Sequence, residues 1–411
     1  MKKLSALLAP FVIALLTAGC DSGSGSPAEP PTDFKVIPGD ASAIATWTAE
    51  PDVSYWIFYG PGDSITTANW ATSGGLAIVD AKSPRVITGL VNGRTYSFTI
   101  NGRKDGGPGG SGAPTQVVVP QIAGTNWSIG TPLGSAKLEG VAAGNVTGGY
   151  ASIAVGAGGA LYSAFYGTGT TTPTNPAAPA DLHAVWFGGG GFVAGGDNGT
   201  LLFSSDATTW TRSTSPVTSA IRGGTLLVSG GFVAVGDAGT ILASANGTDW
   251  TALASGTSAN RHAAADGNGL YVVVGANGTI LTSPNASEWT AVTSGTTSDL
   301  RGVAVVGLAS PTDSSVVNYT YVAVGAGGTV LTSSDATTWT AREAFTTSDL
   351  NAVVYGGQFV AVGSAGGIFT SADGITWQVR NSGTPNDLTA VVRTLSGYTV
   401  VGDKGTNLSS F

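Results

Sequence analysis

A chain of 411 residues with 63 glycines, 10% charged residues and a net charge of −8 carries about twice the usual glycine share, which suits a fold with many tight turns. Its acidic balance and the lack of any Lys/Arg cluster exclude a phosphate-neutralising face, so nucleic acid is not an expected partner. The single cysteine excludes a disulfide framework, a CxxC redox pair and a cysteine-rich zinc site.

Met1 to Gly19 carries Lys2 and Lys3, an apolar run LLAPFVIALL and the small residues Thr17, Ala18 and Gly19 directly before Cys20. That layout is an export signal. The segment LTAGC resembles a bacterial lipobox. The resemblance implies that Cys20 is diacylated on sulfur, becomes the new N-terminus and is acylated again. Two or more acyl chains anchor stably, at about 0.8 kcal/mol per buried methylene. A lipid bilayer, reached through acylated Cys20, is thus an expected partner. The expected place is the bacterial cell envelope: the periplasmic side of the inner or outer membrane, or the cell surface. No later run of about 20 apolar residues reads as a spanning helix. Residues 20–30 belong to DSGSGSPAEPP, Asp21 to Pro31, which reads as a flexible tether.

Residues 31–120 change to short β-rich runs, DFKVI, AIATWT, SYWIFYG, RVITGL, TYSFTI and TQVVV, separated by turn residues and consistent with a sandwich. The Pro31 start, Trp47 on the second strand, Tyr55 to Tyr59 on the third and then TGLVNGRTYSFTI resemble a fibronectin type III domain. The resemblance implies that Trp47 is the core tryptophan and that Tyr96 ties a loop through its hydroxyl. A spacer role is expected. The glycine-rich segment Gly102 to Gly112 reads as a mobile turn.

Residues 121–411 are repetitive. Glycine pairs fall at Gly156/Gly159, Gly196/Gly199, Gly236/Gly239, Gly275/Gly278, Gly325/Gly328, Gly363/Gly366 and Gly402/Gly405, spaced by 40, 40, 39, 50, 38 and 39 residues. A period near 40 with strand-length apolar runs predicts a β-propeller, one four-stranded sheet per repeat. The glycines are expected to supply positive φ in tight hairpins. Five repeats continue with Ser-x-Asp/Asn and then Trp: Ser204, Asp206, Trp210; Ser244, Asn246, Trp250; Ser283, Asn285, Trp289; Ser333, Asp335, Trp339; and Ser371, Asp373, Trp377. They resemble the Asp-box, or BNR, repeats of sialidase-type propellers, with one residue fewer between Asp and Trp. Their expected role is structural, with Ser and Asp bonding the turn and Trp burying a ring between sheets.

At the ends, Ser410 and Phe411 align with Ser244 and Ala245, while AGTNW, Ala123 to Trp127, aligns with Asn246 to Trp250. One box is split between them. The N-terminal segment is therefore expected to supply the outer strand of the last sheet, closing a ring of seven. The first repeat is degenerate, and GLASPTDSSVVN, Gly307 to Asn318, inserts a loop. The fold class predicted is all-β, a fibronectin type III-like sandwich followed by a seven-bladed β-propeller closed by its terminal strands. From about Thr125 to Phe411, the AVG or VVG strands, GxxGTIL turns and LRGV or LNAV starts resemble bacterial relatives of the photosystem II stability and assembly factor propellers.

One position near the start of each innermost strand varies in chemistry: Glu139, His183, Arg222, His262, Arg301, Asn351 and Thr389. Varied side chains on a rigid repeated scaffold form the candidate binding ring. Metal and cofactor are not expected. A sialidase would, by resemblance, need an arginine triad, of which the ring has Arg222 and Arg301 only. The repeats carry three glutamates, Glu139, Glu288 and Glu343, with no obvious glycosidase pair. The expected function is non-catalytic binding or assembly with an envelope or surface protein, or a polysaccharide, by a monomer. A carbohydrate-active hydrolase of sialidase-like type is the alternative.

Overall fold

The structure, a computed structural model, describes residues 25–166, 180–267, 269–310, 313 and 315–410, and the backbone of 171–173. The signal segment and Cys20 lie outside the described residues, as does most of the degenerate stretch after Phe165. The described residues are almost entirely strand and turn.

Two sheets face each other in the N-terminal part. One joins Ser26–Ala28, Tyr96–Lys104, Val53–Pro61, Leu76–Ala81 and Gln116–Val118; the other joins Lys35–Gly39, Ser42–Thr46 and Arg85–Thr88. Alternation along Val53–Pro61 and Tyr96–Lys104 turns Tyr55, Ile57, Phe98 and Ile100 inward, where they pack with Trp47, as a period of two requires. Trp47 sits just past the strand Ser42–Thr46. Its ring meets those of Phe34 and Tyr55. Tyr96 Oη accepts the Val91 N–H at 3.1 Å.

Three local expectations are corrected. Ser26–Ala28, read as tether, pairs with Gly102–Lys104 as an edge strand. Of the segment read as a mobile turn, Gly102–Lys104 completes that ladder, and a Cβ on Gly107 or Gly110 would collide with the backbone of Gly25 or Ala28. Those glycines are needed for close packing. The 307–318 insertion is strand at both ends, because Leu300–Ala309 and Val317–Gly325 extend one hairpin through Ala309↔Val317, so the loop itself is shorter than expected.

Seven four-stranded antiparallel sheets follow among the described residues. Numbered 1 to 7, they begin with the strands Leu138–Val146, Leu182–Gly188, Ile221–Leu226, Arg261–Gly267, Leu300–Ala309, Leu350–Tyr355 and Leu388–Arg393. Each of these first strands packs against the next, and the last against the first. Sheet 7 takes its outer strand from Trp127–Ile129, which pairs with Asn407–Ser410. The Gly124 N–H donates to Ser410 Oγ at 2.6 Å, matching Gly247 N–H to Ser244 Oγ at 2.9 Å in an unbroken box turn.

Within a box turn, Asp335 Oδ1 accepts the N–H groups of Thr337 and Thr338 at 2.8 and 2.7 Å and the Ser333 hydroxyl at 2.9 Å. Those backbone bonds hold its carboxyl well below the usual range. Trp339 donates to Ala336 O and lies in the apolar layer between sheets 4 and 5. The second glycine of each pair takes the expected positive φ, and the first does not. Gly236 is extended, with φ −169°, and is there because a Cβ would strike the Ala220 carbonyl. The left-handed positions are Ala238 and Gly239, with φ 54° and 73°.

Candidate functional site

The first strand of every sheet carries one bulge, and the bulged residues are Glu139, His183, Arg222, His262, Arg301, Asn351 and Thr389. A bulge turns a side chain out of the ladder's alternation. All seven therefore leave the interlayer packing and line one cavity of about 570 Å³ at the mouth beside the GxxG turns. The residue before each is deeply buried: Leu138, Leu182, Ile221, Arg261, Leu300, Leu350 or Leu388.

The ring residues also join sheets. His183 bridges sheets 1 and 2, with Nδ1 2.6 Å from Glu139 Oε2 and Nε2 2.7 Å from Asp197 Oδ1. Since a neutral imidazole donates from one nitrogen only, two carboxylate contacts favour the imidazolium. Burial opposes this charge, but the bonds to Glu139 and Asp197 outweigh it and raise the His183 pKa. Burial likewise pushes the Glu139 carboxyl up, and the His183 bond with the Lys137 ammonium brings it below its ordinary value.

His262 Nδ1 lies 3.0 Å from Leu300 O, and Arg301 donates to Asn351 Oδ1 at 2.8 Å and pairs with Asp349 at 2.9 Å. Asn351 Nδ2 donates to Leu388 O at 2.8 Å, and Thr389 Oγ1 lies 2.6 Å from Leu138 O. These bonds meet carbonyls of the neighbouring first strand beside its bulge. Arg222 instead pairs within sheet 3, to Asp237 Oδ2 at 2.9 Å.

Sequence reasoning missed the acids around this mouth. Asp237, Asp349, Asp387 and Asp403 all line it. A signal was present in the recurring Asp-Leu before the first strands and in GDAG and GDKG. Asp349 and Asp387 each accept the middle N–H of the preceding GxxG turn, from Gly327 and Ala365, at 2.8 Å. The Gly327 bond, with Arg301 nearby, keeps the Asp349 carboxyl low.

Arg261 is a second surprise. It occupies the place of the buried leucine, is 0% exposed, and donates Nη1 to Ala259 O. Its Nε and Nη2 have no partner among the described residues, and burial depresses its pKa. Asp266, at the far end of the same strand, is the carboxyl that burial pushes up, and it does not line the mouth. Among the described residues, no group of three or more His, Cys, Asp or Glu is arranged to hold a metal ion.

A family model described as DUF6242 beta propeller domain matches residues 168–302. No curated protein matches the chain. Among solved structures, YCF48 from Cyanidioschyzon merolae is similar at 17% identity with a TM-score of 0.53, covering 69% of this chain and 98% of its own. YCF48 bound to D1 peptide is similar at 17% identity and TM-score 0.54, covering 69% and 96%. The likeness establishes a β-propeller domain.

Proposed function

We propose that this chain is an envelope lipoprotein, anchored through Cys20, whose fibronectin type III-like module holds a seven-bladed, non-catalytic propeller off the membrane. The mouth of that propeller binds a polypeptide segment of another envelope protein. One observation carries the reading: seven side chains of five chemical kinds, each presented by a bulge, line a single open cavity of about 570 Å³. Closure by the terminal strands is supported by the Trp127–Ile129 pairing. The likeness to YCF48, one solved structure of which is bound to D1 peptide, supports a peptide occupant.

Charged, amide and imidazole side chains line this mouth, with no Phe, Tyr or Trp among the described residues, which disfavours polysaccharide because sugars are commonly held by stacking on those rings. Hydrolysis is disfavoured too. A glycosidase acid needs a raised pKa, whereas Glu139 and Asp349 are lowered.

Because Arg222 and Arg301 are ion-paired, reversing their charge would set carboxylates face to face. Glutamine is the milder probe. The immobilised chain carrying Arg222→Gln and Arg301→Gln is expected to lose a co-purifying envelope protein while remaining folded; identical captures by both baits would remove the mouth from consideration. Cys20→Ser is expected to move the protein from the membrane to the soluble fraction, and unchanged fractionation and mass would refute lipidation.

A further inference from the structure

Six of the seven seams between neighbouring sheets are filled by one recurring set of side chains. Four residues before the first glycine of each pair, sheets 2 to 7 place Phe192, Phe232, Tyr271, Tyr321, Phe359 and Tyr398, each at most 4% exposed, against the preceding sheet. Sheet 1 has Ser152 there. From the other side of that seam, Thr399 stands where sheets 2 to 6 have Val193, Val233, Val272, Val322 and Val360. Asn407 stands where they have Leu201, Ile241, Ile280, Val330 and Ile368. The sequence after Phe165 also offers no tryptophan before Trp186, so the box ring is missing as well.

The consequence is local. Between sheets 7 and 1 lies a cavity of about 180 Å³ lined by Ser152, Ala154, Tyr162, Thr399, Val401 and Asn407, with Leu133 at its edge. The side chains of Ser152, Thr399 and Asn407 hydrogen-bond to no described residue. An engineered cavity of about 150 Å³ with a purely apolar lining takes up benzene. This one has similar room, one apolar wall of Ala154 and Val401, and a polar rim. The missing group at each altered position is an aromatic ring or an aliphatic branch.

We propose that the seam between sheets 7 and 1 is a binding site for a small planar aromatic molecule bearing a hydrogen-bonding group, of the phenol or indole type. Its ring occupies the place that Phe or Tyr fills in the other seams. Its hydroxyl or N–H bonds to Ser152, Thr399 or Asn407, which supply both donors and acceptors.

The test is thermal unfolding and ligand-observed NMR of the full chain with phenol and with indole as probes. Binding to the folded state is expected to raise Tm along a saturating curve, and Ser152→Phe, which restores the repeat's own ring, is expected to abolish that rise. Asn407→Ile keeps the ring's space while removing a polar partner. It is expected to weaken phenol by about tenfold, the equivalent of one hydrogen bond. If Ser152→Phe does not fold, Asn407→Ile alone decides. The absence of saturable binding for both probes overturns the proposal, as does binding that persists unchanged in the variants.

Discussion

The two ends of the propeller sheets use similar polar side chains for different ends. In the box turns, Asp206, Asp335 and Asp373 accept backbone N–H groups two and three residues ahead, so each turn is satisfied within itself. At the mouth, the polar groups reach between sheets: His183 to Glu139, Arg301 to Asn351, Thr389 to Leu138 O. A self-contained turn can be repeated without knowledge of its neighbours. A cross-sheet bond requires that adjacent residues differ in complementary ways, and so the mouth is where the repeats diverge. The lesson is that variation at this ring reflects two demands at once, joining sheets and presenting a surface.

Three changes sharpen or break this contrast. The largest effect is expected at the split box. Trp127 is half-buried against Tyr398, and Trp127→Ala is expected to lower stability by about 3 kcal/mol, read as a lower denaturation midpoint. An unchanged midpoint would mean that the terminal strand does not hold sheet 7. Next is Arg261, whose guanidinium has no carboxylate partner among the described residues and lies in a position that other sheets give to leucine or isoleucine. Arg261→Leu is expected to raise stability by about 1 to 2 kcal/mol, since replacing a buried charge by a hydrophobe of similar size is often favourable. A lower Tm would show that the guanidinium makes a favourable contact that its position conceals.

The smallest effect concerns pH. His183 has a folded pKa above its ordinary value of 6.5, so its contribution is complete below that value and fades as pH rises through the raised pKa. Wild-type stability is therefore expected to decline over that window by on the order of 1 kcal/mol or less. His183→Gln should flatten the slope; a matching slope in the variant would place the titration elsewhere.

Much of the scaffold was legible because repetition averages out local ambiguity. The glycine spacing located all seven first strands, and the AGTNW match anticipated that Trp127 would pair beside Ser410. The ring positions were readable as a column of unlike residues in an otherwise uniform repeat. Their bulges were not, because a bulge arises from how two strands share hydrogen bonds and leaves no required residue type. The strand at Ser26–Ala28 was missed for a related reason. Its residues are turn formers whose extended state is stabilised by Arg103 and Lys104 across the sheet, some 75 residues away.

By itself, the sequence determined the all-β class, the period, the turn chemistry of the boxes and the identity of the residues near the mouth. Those features rest on local preferences and short spacings. Tertiary structure decided which of these residues meet. It joined His183 to two carboxylates from different segments, left Arg261 buried without an acid, and opened a cavity where Ser152, Thr399 and Asn407 face one another across a seam formed from opposite ends of the repeat region. Each of those outcomes depends on distances between distant segments, which only the packed ring brings together.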